Sequence, residues 1–221
     1  MNVLILGASR GIGLELTRQH QAAGDRVIAT ARGDEGLKTI QQAGAKPLKL
    51  DITDTASTAG LARRLDGESF DTVWLVAGVY GPRSSALQSP TEEEFNTVMH
   101  TNVLAAMRVL PIVAEALAPQ ARIAVISSRM GSISLRSNPS GWLYRASKAA
   151  LNSLMKDVSL ALEGRAICVS LHPGWVRTDM GGTDADIEVE HSVRTMRETV
   201  AALTPADNGS FLNHDGERLS W

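Results

Sequence analysis

The 221-residue chain reads as a doubly wound α/β fold, and three observations predict it. Short apolar runs recur along the chain ("NVLIL", "RVIATA", "DTVWLVAG", "ARIAVISS", "AICVSLHPG"), separated by longer segments of helical period. Strands that are apolar on both faces call for a mainly parallel sheet covered by helices on both sides. Right-handed crossovers then wind that sheet in both directions. No repeat, low-complexity tract or linker rich in Gly, Pro or Ser splits the chain, so residues 1–221 are expected to form a single domain.

The elements follow in order. The strand "NVLIL" leads into a helix over 11–23, and "RVIATA" into one near 35–43. "PLKLD" is a third strand, followed by a helical segment over 55–65 and the fourth strand, "DTVWLVAG". A long helical segment over 91–117 precedes "ARIAVISS", and one over 142–162 precedes "AICVSLHPG". A last helical pattern over 190–203 leads to the short end "SFLNHDG". Two segments that follow strand ends, 131–141 and 178–189, are rich in small and polar residues and read as functional loops.

Composition narrows the function. Lysine and arginine number 22 against 24 acidic residues, which leaves no basic excess and disfavours a nucleic-acid partner. The single cysteine, Cys168, rules out an intramolecular disulfide and reads as a small buried hydrophobe. The N-terminus lacks a basic region, and its apolar run, 3–6, is too short for a signal peptide. No uninterrupted apolar stretch of about 18 residues occurs, so no membrane association is expected and the location is expected to be cytoplasmic.

The first strand runs into "LILGASRGIG". Gly7, Gly11 and Gly13 follow the strand and open the helix, with Ser9, Arg10 and Ile12 among them. Such a turn aims backbone amides and a helix N-terminus at an anion and lets a pyrophosphate approach the main chain. This suits a dinucleotide in a Rossmann-type domain; a tight turn without a ligand is the plainer alternative. The second strand ends at Ala31, where an acid would bind a ribose 2′-hydroxyl, and Arg32 follows. Together with Arg10, this favours a 2′-phosphate and hence NADP(H) over NAD(H), unless Arg32 is only a solvated loop residue.

Tyr144 and Lys148, in "LYRASKAAL", stand four positions apart and share a helix face. An ammonium beside a phenol favours the phenolate, so the pair is expected to act as an acid/base group tuned towards neutral pH. Alone, the spacing fits ordinary helix residues equally well. "AVISSRMG" places Ser127 and Ser128 at a strand's C-terminal end, where ligands bind in such sheets. Asn102, in mid-helix, is a poor helix-interior residue and suggests a specific role.

The spacing G-x-x-x-G-x-G, with Asn102, Ser128, Tyr144 and Lys148 in that order, resembles the short-chain dehydrogenase/reductase family over nearly the whole chain. The resemblance implies that NADPH delivers a hydride to a carbonyl carbon, with Tyr144 as acid, Ser128 orienting the oxygen and Lys148 lowering the Tyr144 pKa. It implies that Asn102 holds a relay water, that Lys148 contacts the nicotinamide ribose, and that Asp51 and Ile52 border the adenine. Ala77 and Gly78 let the cofactor pass, although Val76 replaces the usual asparagine. "PGWVRT" matches the family pattern at Pro173, Gly174, Val176 and Thr178, which implies that Val176 and Thr178 hold the carboxamide. His172 reads as structural, and Asp51 has a helix-capping alternative.

The 128-to-144 spacing is longer than is common in the family, the extra residues falling in the 131–141 loop. Trp142, Met130, Trp175 and Met180 are expected to flank a small-molecule substrate, although packing explains them equally well. The C-terminal end is similar to short forms related to the bacterial C-factor. That raises a rival reading, a dinucleotide-binding signalling or interaction protein with incidental activity. The resemblance also implies a homodimer or homotetramer through the helices on either side of the fifth strand. No metal site is expected.

Overall fold

A computed structural model describes all 221 residues. Seven parallel strands form one sheet in the order β3-β2-β1-β4-β5-β6-β7. They are β1 (Asn2–Leu6), β2 (Arg26–Ala31), β3 (Lys46–Lys49), β4 (Phe70–Leu75), β5 (Leu117–Ile126), β6 (Ala166–His172) and β7 (Ser210–Asn213). The chain starts in the middle, winds outward to β3, then crosses back to β4 and winds the other way. The crevice therefore opens at the C-terminal ends of β1 and β4, where the winding direction switches.

Alternation along the strands divides the core in two. Leu4, Leu6, Ile123, Val125 and Cys168 point to one face, and Val3, Ile5, Ala124, Ile126, Ile167 and Val169 to the other. The first face is covered by α4 (Leu61–Arg64), α6 (Ala105–Ala114) and α7 (Trp142–Ala161), through Leu61, Val109, Val113, Leu151 and Met155. The second is covered by α1 (Gly11–Ala22), α2 (Asp34–Gln42) and α8 (Val189–Ala202), through Leu16, Ile40, Val193, Met196 and Val200. Cys168 is fully buried, and burial pushes its thiol up to about 12, so it is a packing residue.

Three elements differ from the sequence expectation. The segment over 55–65 divides at Gly60 into α3 (Thr55–Ala59) and α4. The segment over 91–117 divides into α5 (Glu92–Met99), a wider π-helical turn (His100–Leu104) and α6, and β5 then begins at Leu117. The end beginning "SFLN" is a seventh parallel strand, fully registered on β6 from Val169↔Ser210 to His172↔Asn213. Pro47 is tolerated in β3 because that strand lies at the sheet edge and pairs only with β2. Within the span 92–114, an 18-residue window reaches a mean hydropathy of 1.3, but half of that window is buried against the rest of the protein. It is a core helix.

Candidate active site

One cleft of about 1610 Å³ runs across the C-terminal edge of the sheet. It begins at the glycine loop, passes the ends of β2 and β3, continues past Ala77 and Gly78, and ends around Ser128, Tyr144 and the 178–181 segment. All the site residues expected from the sequence line it except Gly13 and Asn102.

The nucleotide end is shaped by the main chain. Gly7 has φ +94°, and a Cβ there would lie 2.7 Å from the Ala77 side chain, so β1 and β4 meet too closely for any other residue. A Cβ on Gly13 would lie 2.0 Å from the Gly7 carbonyl. Gly13 therefore lets α1 sit against β1 and does not face the cleft. The first turn of α1 has neither a side-chain cap nor an acidic residue, which leaves its amides free for an anion. These features fit a dinucleotide pyrophosphate.

At the far end of this half, Arg32 is exposed on the cleft wall. Asp51 is not a helix cap: its carboxylate accepts from the Thr53 amide at 2.9 Å and hydroxyl at 2.7 Å, while Asp54 caps α3. The Thr53 bonds hold its pKa below the usual carboxylate range despite partial burial, and the Arg32 charge adds to the effect. Arg10 reaches across the cleft to Asp179 at 3.1 Å. Both side chains are about three-quarters exposed (77% and 75%), and such a pair is worth at most about 1 kcal/mol, so it leaves Arg10 available to a phosphate.

The chemical end is made of side chains. Tyr144 and Lys148 lie on the first two turns of α7, 7% and 4% exposed. The Lys148 ammonium donates to the Ile126 carbonyl at 2.8 Å and lies 5.7 Å from the Tyr144 ring centre. Ser128 follows β5, and its hydroxyl accepts the Met130 amide at 3.1 Å. Both serines border the cleft, and the Ser127 hydroxyl is engaged in the interior, donating to Asn152 Oδ1 at 2.6 Å.

The electrostatics correct one expectation. Burial pushes the Tyr144 phenol up to about 12; the neighbouring Ser128 hydroxyl opposes this and nearby Tyr80 adds to it. Burial pushes Lys148 down to about 8. Desolvation is the largest cause and outweighs the Ser128 hydrogen bond. The tyrosine is a strongly protonated acid, and the lysine is held below its ordinary range.

Asn102 sits in the π-helical turn. Its Nδ2 donates to the Val79 carbonyl at 2.8 Å and to the Ser147 hydroxyl at 2.9 Å, and its Oδ1 accepts the Val79 amide at 2.8 Å. Ser147 in turn donates to the Tyr144 carbonyl at 2.8 Å. Asn102 thus ties the chain after β4 to the Tyr144 turn of α7. The widened π turn is a geometry often found at functional sites. His172 ends β6 beside the cleft; burial pushes it down to about 4, aided by His214 and Arg129, so it is neutral.

Sequence reasoning missed Tyr80, whose ring stacks on Tyr144 with centres 4.6 Å apart at 22°. Its loop has no periodic pattern, and it is paired with the 131–141 segment through bonds from Gly141 N–H to the Ser84 carbonyl and from Ala86 N–H to the Pro139 carbonyl. Met130, Trp175 and Met180 line the cleft as expected, whereas Trp142 does not. The 131–141 loop is also held by the end of the chain: Ser134 donates from its amide and its hydroxyl to the Trp221 carbonyl, and Ser132 donates to the Ser220 carbonyl at 2.7 Å.

Residues 1–188 match the profile of the short chain dehydrogenases. The chain belongs to the short-chain dehydrogenase/reductase family. Among curated relatives, C-signal of Myxococcus xanthus is 41% identical over 101 residues, covering 45% of this chain and 61% of that protein. The "1-hydroxy-2-glutathionyl-2-methyl-3-butene dehydrogenase" of a Rhodococcus species is 30% identical and covers 99% of both chains. Among solved structures, a short-chain dehydrogenase/reductase of Burkholderia multivorans with bound NADP superposes with a TM-score of 0.91 at 31% identity, covering 100% of this chain and 99% of that one. The NADPH-bound carbonyl reductase from chicken fatty liver gives 0.86 at 33% identity, covering 100% and 98%.

Proposed function

We propose that this protein is an NADP(H)-dependent oxidoreductase that interconverts a small-molecule carbonyl and its alcohol. The observation that carries this reading is the convergence of Ser128, Tyr144 and Lys148 on the cleft that begins at the uncapped glycine loop. The NADP- and NADPH-bound structural relatives support the choice of cofactor, as do Arg32, after a strand end that lacks an acid, and Arg10 in the glycine loop.

Gly7, Ser9, Gly11 and Ile12 would cradle the pyrophosphate. Arg32 and Arg10 would take the 2′-phosphate, and Asp51 and Ile52 would border the adenine. Ala77, Gly78, Pro173, Gly174, Val176 and Thr178 would line the nicotinamide half. When bound, NADPH supplies the hydride. The chain's own groups do the rest. Ser128 donates to the substrate carbonyl oxygen and orients it. Tyr144 gives that oxygen a proton as negative charge develops. The Lys148 ammonium offsets the charge left on the phenolate, and Asn102 fixes the turn that carries Tyr144.

A role confined to nucleotide sensing is not favoured, because it leaves this buried acid, serine and lysine without use. The apolar side chains exposed on α5, α6 and α7 (Phe95, Met107 and Leu160) suit a homodimer or homotetramer through those helices. A cytoplasmic location accords with this reading.

The test is NADPH consumption against a panel of aldehydes and ketones. Turnover with NADPH preferred to NADH is expected. Tight NADPH binding with no turnover on any carbonyl would overturn the reading in favour of sensing.

A further inference from the structure

The charges around the chemical end of the cleft are unbalanced. Glu35 and Asp51 face the nucleotide half, and Asp179 is engaged by Arg10. No other carboxylate lines the cleft. Of the arginines there, Arg145 is spent on the Ser140 carbonyl at 2.7 Å and Asn138 Oδ1 at 2.9 Å, and Arg177 pairs with Glu188. Arg83 lines the same space with no acidic partner.

Arg83 is exposed at the mouth of the cleft, and its neighbours orient it towards the site. Its guanidinium lies 5.2 Å over the Tyr80 ring, and Tyr80 stacks 4.6 Å on Tyr144. The guanidinium is therefore separated from the reacting phenol's ring by no more than the sum of those two steps. The loop that carries it is anchored at its start by the Asn102 clamp on Val79. One Arg83 nitrogen makes a long contact, 3.3 Å, to the Met180 carbonyl across the mouth. A guanidinium held over an aromatic ring face can keep its remaining N–H groups for a carboxylate.

We propose that the physiological substrate is a carbonyl compound bearing a carboxylate a few carbons from the carbonyl, and that Arg83, held over the Tyr80 ring, binds that carboxylate while Ser128 and Tyr144 hold the carbonyl oxygen. The inference rests on the carbonyl-reduction reading and adds the class of substrate. Arg129, just after Ser128 and likewise without an acidic partner, also lines the cleft and adds positive potential. Arg83 is then a specificity-determining residue.

The experiment compares kcat/KM for levulinate and benzoylbutyrate, each against its own primary amide. The wild type is expected to prefer at least one acid about tenfold at low ionic strength, one charge-assisted pair being worth about that factor, and to lose part of the preference as salt rises. Arg83→Gln should bring the acid-to-amide ratio to within about twofold of unity, and Arg83→Lys should retain part of it. If any carbonyl compound is reduced but neither acid is preferred to its amide, or if Arg83→Gln keeps the wild-type ratio, the proposal is overturned. If the protein binds NADPH and reduces no carbonyl compound at all, the carbonyl-reduction reading itself fails, and this inference with it.

Discussion

At the nucleotide end of the cleft the walls are main chain: a glycine turn held against Ala77, the uncapped amides of α1 and the ends of three strands. At the chemical end they are side chains brought together by loops: Tyr80 on Tyr144, Arg83 on Tyr80, and Asn102 reaching back to Val79. The first half is fixed by the topology of the sheet, and any chain folded this way must build something like it. The second depends on loops whose lengths and residues vary freely without disturbing the sheet. The nucleotide half therefore gives the general chemistry, and the loops decide what is acted upon.

The largest effect should come from breaking the main-chain half. Gly13→Ala forces a methyl into the Gly7 carbonyl. It should cost about 3 kcal/mol and lower Tm by about 6–12 °C. Calorimetry checks this, and a Tm within about 2 °C of wild type would show that the two elements are free to separate. A smaller loss should follow Arg32→Ala: about tenfold weaker NADPH binding, with NADH binding changed by less than about twofold. Equal losses for both nucleotides, measured by titration calorimetry, would remove Arg32 from 2′-phosphate recognition.

The chemical half should respond to pH. Lys148 is lowered to about 8, so its ammonium is present below that pH and is lost as pH rises through it, while Tyr144, raised to about 12, stays protonated. Because kcat/KM reports the free enzyme, reductive kcat/KM should fall by about tenfold for each pH unit above about 8. Lys148→Arg, which keeps its charge, should move that limb upward. A wild-type profile flat to pH 10 would show that the ammonium is not needed.

The sheet, the glycine loop and the order of Asn102, Ser128, Tyr144 and Lys148 were legible because each leaves a local mark: apolar runs, glycines at fixed offsets, hydroxyls at strand ends. The seventh strand was hidden because "SFLN" is four residues long and its support comes from β6, about forty residues earlier in the chain. The π turn was hidden because 91–117 carries an unbroken helical period, while the bonds Asn102 makes from that turn, to Val79 and Ser147, are to residues distant in sequence. The wrong direction for the Tyr144 pKa has the same origin. The i, i+4 spacing predicts the neighbour but not how deeply the phenol is buried.

The separation of the two halves is tested most directly by Tyr144→Phe, with turnover and NADPH affinity measured on the same preparation. Removing the acid should lower kcat by about a thousandfold and leave the NADPH Kd within about twofold, since the ring and its stacking on Tyr80 persist. A variant that turns over at close to the wild-type rate would show that this phenol is not the proton donor.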